Sequence, residues 1–386
     1  MILWLTYWYP DKENPVRGNF IRSQWLAAKS LGLDVELLFV DIAKGKSLMD
    51  VSWIRGDDGE YILRVRSRAW KTIYHTPIWA SKLISRQWIN KTGLRKPSAL
   101  HANVVFPAGL LSEQLARKWD IPYVITEHWS KAAKWTRHKL FGKKVRSSYE
   151  EALAILPVSD HLSLELMQCL PDISKNNFRI IPNAIDINSF KYVERKINSQ
   201  KKSFQILGVA SLISSNAHIK RIDLSIEALA ILKRKYPDVI WSYVHAGSGD
   251  RLNFLQDYAK GLGVSENIKW LGALNSKELY EEYSKADVFL QPSKYETFGI
   301  VVLEAIQTGL CVVTSDIPAF QTWVNEQTGI RVELNSKSIA KGIENIWKNP
   351  LKVPRDVLDP KKYAPSKVGA QIKDVYRDLF SLNPAS

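Results

Sequence analysis

Short apolar runs alternate with segments of helical period along nearly the whole chain. Residues 2–8 form the first buried run, a polar loop follows over 10–18, and residues 19–31 carry a helical periodicity that stops at Gly32. Runs at 34–40, 53–54 and 61–65 predict further strands, the last two around the turn Gly56-Asp57-Asp58-Gly59. Apolar runs at 99–102 and 123–126 flank a helical stretch near 108–119, and 154–158 leads into Ser159, a residue suited to cap the helix that follows. Residues 191–203 are polar, charged and aperiodic, which predicts a linker. Beyond it the alternation resumes, with strands predicted over 204–210, 240–245, 268–270 and 286–291, helices over 221–235 and 251–262, and a final helix over 362–380. This pattern predicts an α/β protein of two doubly wound, Rossmann-like domains, residues 1–190 and 204–350, with a C-terminal segment over 351–386.

The 386 residues suffice for two such domains, each with its own core. No stretch approaches the ~20 apolar residues of a membrane span, and the first residues lack the basic region and cleavage site of a signal peptide, so a cytoplasmic protein is expected. Cys169 and Cys311 lie far apart without ligand-like spacing; both are expected to be buried and reduced, outside any disulfide framework or zinc site. The net charge of +15 points to an anionic partner, and no nucleic-acid-binding signature accompanies it. The densest basic run, 131–146, begins at Lys131, ends at Arg146 and holds seven Lys or Arg and no acid, with Trp135, Leu140 and Phe141 interleaved. Two readings of it stand: a surface for anionic lipid, making the protein peripheral on the inner face of the plasma membrane, or a solvated helix face balanced by acids elsewhere. Ten of the 14 Trp fall in the first 135 residues; core packing is the expected fate of most, stacking on an acceptor sugar that of a few.

The most informative stretch is 294–309, Lys-Tyr-Glu-Thr-Phe-Gly-Ile-Val-Val-Leu-Glu-Ala-Ile-Gln-Thr-Gly. A strand runs into a loop carrying Glu296, and from Gly299 the residues Ile300, Leu303, Ile306 and Leu310 recur at helical spacing, so Glu304 lies about one and a half turns into a helix. The unpaired amides of Phe298, Gly299, Ile300 and Val301, with the helix dipole, make an anion site flanked by two carboxylates that can accept hydroxyls. That combination suits a phosphate joined to sugars. Gly247 and Gly249 follow a strand and open a helix, and Gly18 with Asn19 heads the first helix; both turns would let backbone approach a ligand. His128 stands at the carboxyl end of a strand, where open sheets place ligands, whereas His101 and His138 read as packing residues.

Taken together, these stretches resemble the retaining glycosyltransferases of family 4 (glycosyl transferases group 1), whose E-x7-E signature is matched by Glu296 and Glu304. The resemblance covers nearly the whole chain in the family's order. It implies the GT-B fold, two Rossmann-like domains facing a central cleft, with the final helix returning to the first domain. On this resemblance Gly18 and Asn19 form the acceptor and phosphate loop, His128 contacts the donor sugar, and Asn183 and Asp186 shape the turn before the interdomain crossing. Trp270 and Leu271 match the segment whose backbone reads the base, Gly247 and Gly249 match the family's glycine turn, and Thr-Gly-Ile-Arg-Val at 328–332 matches a hairpin. The family's diphosphate-gripping arginine and lysine fall on Ser211 and Lys220, so the lysine is kept and the arginine is absent. Either Arg221 supplies the second charge, or Ser211 and backbone amides replace it. A lysine at a helix start opposes the dipole, which favours an anionic partner for Lys220.

The implied activity is transfer of a sugar, with retention of configuration, from a nucleotide sugar to a glycan or lipid-linked acceptor in cell-surface polysaccharide synthesis. The leaving diphosphate would accept the acceptor's proton on the face of attack. Lys220 and the amides of 298–301 would stabilise its charge, Glu296 would hold sugar hydroxyls, Glu304 ribose hydroxyls, and His128 would touch the sugar. No acidic metal motif stands at a strand end, so neither a metal nor another cofactor is expected. One rival is a non-catalytic GT-B protein that binds a nucleotide sugar or partner, motivated by Ser211. Others are an epimerase or a pyridoxal-phosphate phosphorylase on the same scaffold; the E-x7-E order opposes the first and the chain length the second.

Overall fold

The computed structural model describes residues 1–11, 17–185, 189–196, 198–357 and 360–380. Two compact units divide the chain, one made of residues 1–184 with 363–386 and the other of residues 185–362.

The first unit is built on a seven-stranded sheet of β1 (Ile2–Thr6), β2 (Val35–Lys44), β3 (Asp50–Arg55), β4 (Tyr61–Ser67), β5 (Ala99–Asn103), β6 (Tyr123–Glu127) and β7 (Ala154–Pro157), in the order β3-β4-β2-β1-β5-β6-β7. Every pairing is parallel except β3 with β4, which the turn at 56–59 folds back on each other. Strands β1, β5 and β6 are buried along their whole length, the reason they read as continuous apolar runs.

The helix Asn19–Ser30 brings Ile21, Trp25 and Ala28 into one core cluster with Val368, Ile372, Val375 and Tyr376 of the helix Pro365–Phe380. The last helix thus completes the core of the first unit, each of its large buried side chains contributing ~1.5–3 kcal/mol of burial. From it Tyr376 reaches the ring of His101, which is held between the Tyr376 hydroxyl (2.5 Å) and Thr126 Oγ1 (2.6 Å); His101 is a packing residue.

The second unit holds β8 (Ser203–Val209), β9 (Ile240–Ala246), β10 (Ile268–Gly272), β11 (Val288–Gln291), β12 (Val312–Ser315) and β13 (Gly329–Val332), ordered β10-β9-β8-β11-β12-β13 and all parallel. The expected hairpin at 328–332 is absent: β13 runs parallel to β12, because the helix Pro318–Gln321 between them serves as a crossover.

The polar stretch expected as a linker also departs from a free connector. Arg195 donates to the carbonyls of Tyr283 (2.6 Å), Ala286 (2.6 Å) and Gly309 (3.0 Å), and the Tyr192 hydroxyl to that of Val353 (2.9 Å), strapping the stretch to the second unit. Asp186 lies outside the described residues. Cys311 is buried as expected, but Cys169, in the last turn of the helix Asp160–Cys169, is only half-buried.

Candidate functional site

In the second sheet β8 and β11 are neighbours, and the chain winds outward from them in opposite directions. Loops leaving the carboxyl ends of two such strands diverge and open the crevice where α/β sheets bind ligands. The loop after β8 carries Ser211 and the loop after β11 carries Glu296. These loops are tied together by the Lys294 amide, which donates to the Ile219 carbonyl at 2.7 Å.

Lys220 and Glu296 meet in this crevice, with Nζ 2.6 Å from Oε1. The same oxygen accepts from Ser293 Oγ (2.8 Å) and Gln291 Nε2 (3.2 Å), so the carboxylate is oriented by three donors. Lys220 ends the helix Ser214–Lys220 rather than beginning one. A cation at a helix C-terminus is favoured by the dipole, so its place in the helix gives no reason to expect an anion there; the pair with Glu296 is the informative feature.

Arg221 takes a left-handed backbone (φ 51°) between that helix and Ile222–Lys235, and its guanidinium is engaged by Asp223 at 2.8 Å. Ser211, Ser214, His218, Arg221, Arg251 and Lys294 line one cavity of about 660 Å³.

Gly299 (φ 84°) turns the chain into the helix Ile300–Gln307, a conformation that any residue with a Cβ resists. Its carbonyl accepts the amides of Val302 (3.0 Å) and Leu303 (3.3 Å), which among the described residues leaves those of Ile300 and Val301 as the orphan donors of the helix start. Just before it, Phe298 is buried and its carbonyl accepts from Trp323 Nε1 (3.0 Å). Inside the helix the Tyr283 hydroxyl, which burial keeps protonated, shares its one proton between Glu304 Oε2 (3.1 Å) and the Val301 carbonyl (3.0 Å).

Gly247 and Gly249 are needed for contact within the chain. A Cβ on Gly247 would stand 1.9 Å from the Ala210 carbonyl oxygen, and one on Gly249 2.2 Å from the Leu212 carbonyl carbon. The glycine turn therefore backs the loop that carries Ser211. Trp270 and Leu271 are half-buried at the end of β10, the Trp270 ring 5.4 Å from that of His245.

In the first unit Gly18 caps the helix Asn19–Ser30 against the Trp8 carbonyl, and Asn19 is exposed. Phe20, one residue on, lies against His128 with ring centroids 4.5 Å apart. His128 is 6% exposed; burial lowers its pKa to about 3 against a smaller opposing effect of Asn183, and neither ring nitrogen completes a hydrogen bond among the described residues. Beside it Glu127 is fully buried and accepts from Tyr149 (2.7 Å) and the amides of Val105 (2.9 Å) and Trp129 (2.7 Å); burial nevertheless pushes its pKa up to about 6.

Asn103, at the carboxyl end of β5, was not singled out by sequence pattern. It is buried with neither amide atom hydrogen-bonded, and its only signal was a polar residue closing the apolar run Ala-Leu-His-Ala-Asn.

The basic run folds as the helix Ala132–Trp135, a turn, and the helix Gly142–Glu150. Trp135 and Phe141 pack on Phe106 at 4.3 and 5.3 Å between ring centroids, while Leu140 is 79% exposed. Among the described residues none of the seven bases forms an ion pair, so no carboxylate balances them directly. His138 stacks on Trp135 at 4.6 Å, as a packing residue would. No helix among the described residues is long and apolar enough to cross a membrane, and no three His, Cys, Asp or Glu among them converge as metal ligands.

Comparison with known proteins bears on both units. Residues 192–365 match the family model of glycosyl transferases group 1, and residues 27–189 that of Glycosyltransferase Family 4. The O-antigen biosynthesis glycosyltransferase WclY of Escherichia coli is 30% identical over 216 residues, 55% of this chain and 58% of that protein. The alpha-monoglucosyldiacylglycerol synthase of Acholeplasma laidlawii is 25% identical over 325 residues, 78% of this chain and 80% of that one. Matches to the first of the curated relatives thus span a little over half of their length. Among solved structures, HepE of Anabaena in complex with UDP superposes with a TM-score of 0.68 at 15% identity, covering 98% of this chain and 100% of that one.

Proposed function

Because the chain belongs to the group 1 glycosyltransferases of GT-B type, we propose that it transfers a sugar, with retention of configuration and without a metal ion, from a nucleotide sugar to a glycan or lipid-linked acceptor of the cell surface. The observation that carries the reading is the meeting of Lys220 and Glu296 at the β8/β11 switch point, beside a helix start with orphan amides. In this reading the bond between the anomeric carbon and the diphosphate oxygen breaks, the acceptor oxygen bonds to that carbon on the same face, and the acceptor's proton passes to the departing diphosphate. Lys220 and the Ile300 and Val301 amides stabilise the charge that develops on the leaving group, which calls for donors already in place. Glu296 holds the sugar's hydroxyls, Glu304 the ribose hydroxyls, and His128, neutral at working pH, contacts the sugar.

The similarity to WclY supports an acceptor of the O-antigen kind, and that to the Acholeplasma synthase a lipid acceptor. The UDP held by HepE supports a nucleotide donor. The protein would work at the inner face of the plasma membrane, held there by the unpaired bases of 131–146. The test is a screen of UDP-, GDP- and ADP-sugars for nucleotide release, in chelator, with wild type and Glu296→Ala. Turnover of one donor that Glu296→Ala abolishes is expected. Ser211 at the family's arginine position favours a second reading, a protein that binds nucleotide sugars without transferring them, and donor binding with no turnover on any lipid or glycan acceptor would favour it.

A further inference from the structure

We propose that Lys294 is the second cation of the diphosphate site, taking the part left open by Ser211; the inference rests on the donor reading above. Ser211 and Lys294 line the same cavity although 83 positions separate them in the chain, the one leaving β8 and the other β11. Lys294 is fixed at its root: its amide is held by the Ile219 carbonyl at 2.7 Å, and the carbonyl of Ser293 before it accepts from Ser315 Oγ. The first of these bonds sets the Lys294 backbone beside the residue that precedes Lys220.

Charge balance leaves two basic side chains of this cavity, Arg251 and Lys294, outside any ion pair among the described residues. Lys220 is neutralised by Glu296 at 2.6 Å and Arg221 by Asp223 at 2.8 Å, so these two cations bring no net positive charge to the crevice. Arg251, in the same cavity, keeps its charge over the Phe254 ring at 3.7 Å but stands after β9, whereas Lys294 stands after β11, bonded to the residue before Lys220. Lys294 is exposed and forms no ion pair among the described residues. A diphosphate presents at least two negative charges, and an ammonium with three rotatable donors can meet them where a fixed guanidinium fork is lacking.

The experiment is calorimetric titration of wild type, Lys294→Ala and Lys294→Arg with UDP, GDP and ADP and with the corresponding nucleosides. Loss of one charge-assisted contact should weaken the preferred diphosphate roughly tenfold or more in Lys294→Ala. Nucleoside binding should be unchanged, and Lys294→Arg should keep most of the diphosphate affinity. A diphosphate affinity in Lys294→Ala equal to that of wild type would overturn the inference, as would an equal loss for nucleoside and diphosphate. Failure of the wild type to bind any of the three diphosphates would instead bring down the donor reading itself, and the role of Lys294 with it.

Discussion

Lys220 and Glu296 stand 76 residues apart in sequence and form an ion pair at 2.6 Å, each side chain largely withdrawn from water. The lysine is thereby placed for an anion but held by an internal one, so a bound diphosphate must share or displace the carboxylate. Removing the charge of Glu296 while keeping its shape should free Lys220 and remove the acceptor for sugar hydroxyls at once. Glu296→Gln is expected to lower turnover by roughly 10²–10³-fold, on the scale of losing one preorganised transition-state contact. Its affinity for nucleoside diphosphate should rise. Measuring turnover and diphosphate affinity on the same preparation checks this, and a fall in both would mean that the pair does not act as described.

The two glycines after β9 make a prediction about stability. Gly247 has φ 143° and Gly249 approaches the Leu212 backbone, so either residue replaced by Ala must push the Ser211 loop away or distort β9. Gly247→Ala should cost ~2–4 kcal/mol, the sum of overpacking and backbone strain, and Gly249→Ala ~1–3 kcal/mol. Urea unfolding midpoints would read this directly; variants as stable as wild type would show that the loop has room to move.

These glycines also show where sequence was a sufficient guide. Their positions after a strand and before a helix were legible, and so were buried strands at 99–102 and 123–126, because parallel strands covered on both faces leave no polar alternation. What the glycines approach was not legible, since a neighbouring loop and a ligand make the same demand for a missing Cβ. Arg195 failed for a related reason: a guanidinium that satisfies three helix-end and loop carbonyls looks in sequence like any solvated charge. The parallel setting of β13 was hidden because the helix Pro318–Gln321 is too short to show a period. Lys294 opens the stretch 294–309, but its relation to Ser211 exists only once β8 and β11 are paired.

Three buried histidines set the acid limit of stability. Burial lowers His101 and His128 to about 3 and His245 to about 4, from an ordinary 6.5. Between 6.5 and those values the unfolded chain binds protons that the folded protein refuses, so stability is full above 6.5 and is lost as pH falls through the window. Each imidazole contributes up to about 1.4 kcal/mol per pH unit. Glu127 acts in the opposite sense: its pKa rises from 4.5 to about 6, so its contribution is present below 4.5 and is lost as pH rises through 6, which offsets one histidine in that range. Urea midpoints should therefore drop from pH 7 to pH 5, and more steeply below pH 6 than above it, as the unfolded imidazoles fill with protons. A flat profile over that interval would contradict the burial of these rings.

The basic run at 131–146 offers the last test, and the structure narrows what it can mean. Trp135 and Phe141 are occupied with Phe106, so of the interleaved apolar residues only Leu140 is free to enter a bilayer. Attachment would then depend mainly on the seven unpaired bases, each worth ~1 kcal/mol near an anionic surface, and would be reversible and salt-sensitive. Vesicles of phosphatidylglycerol mixed with phosphatidylcholine should retain the protein at 50 mM salt and release most of it at 500 mM, while pure phosphatidylcholine should not retain it. Lys139→Glu with Lys143→Glu should abolish retention by reversing charge on either side of Leu140, and Leu140→Ala should weaken it only modestly. Both lysines lie outside the proposed donor site, so free-donor hydrolysis should survive in the double variant. If vesicle binding also survives, the run is a solvated face and the membrane reading fails, with the transferase reading untouched.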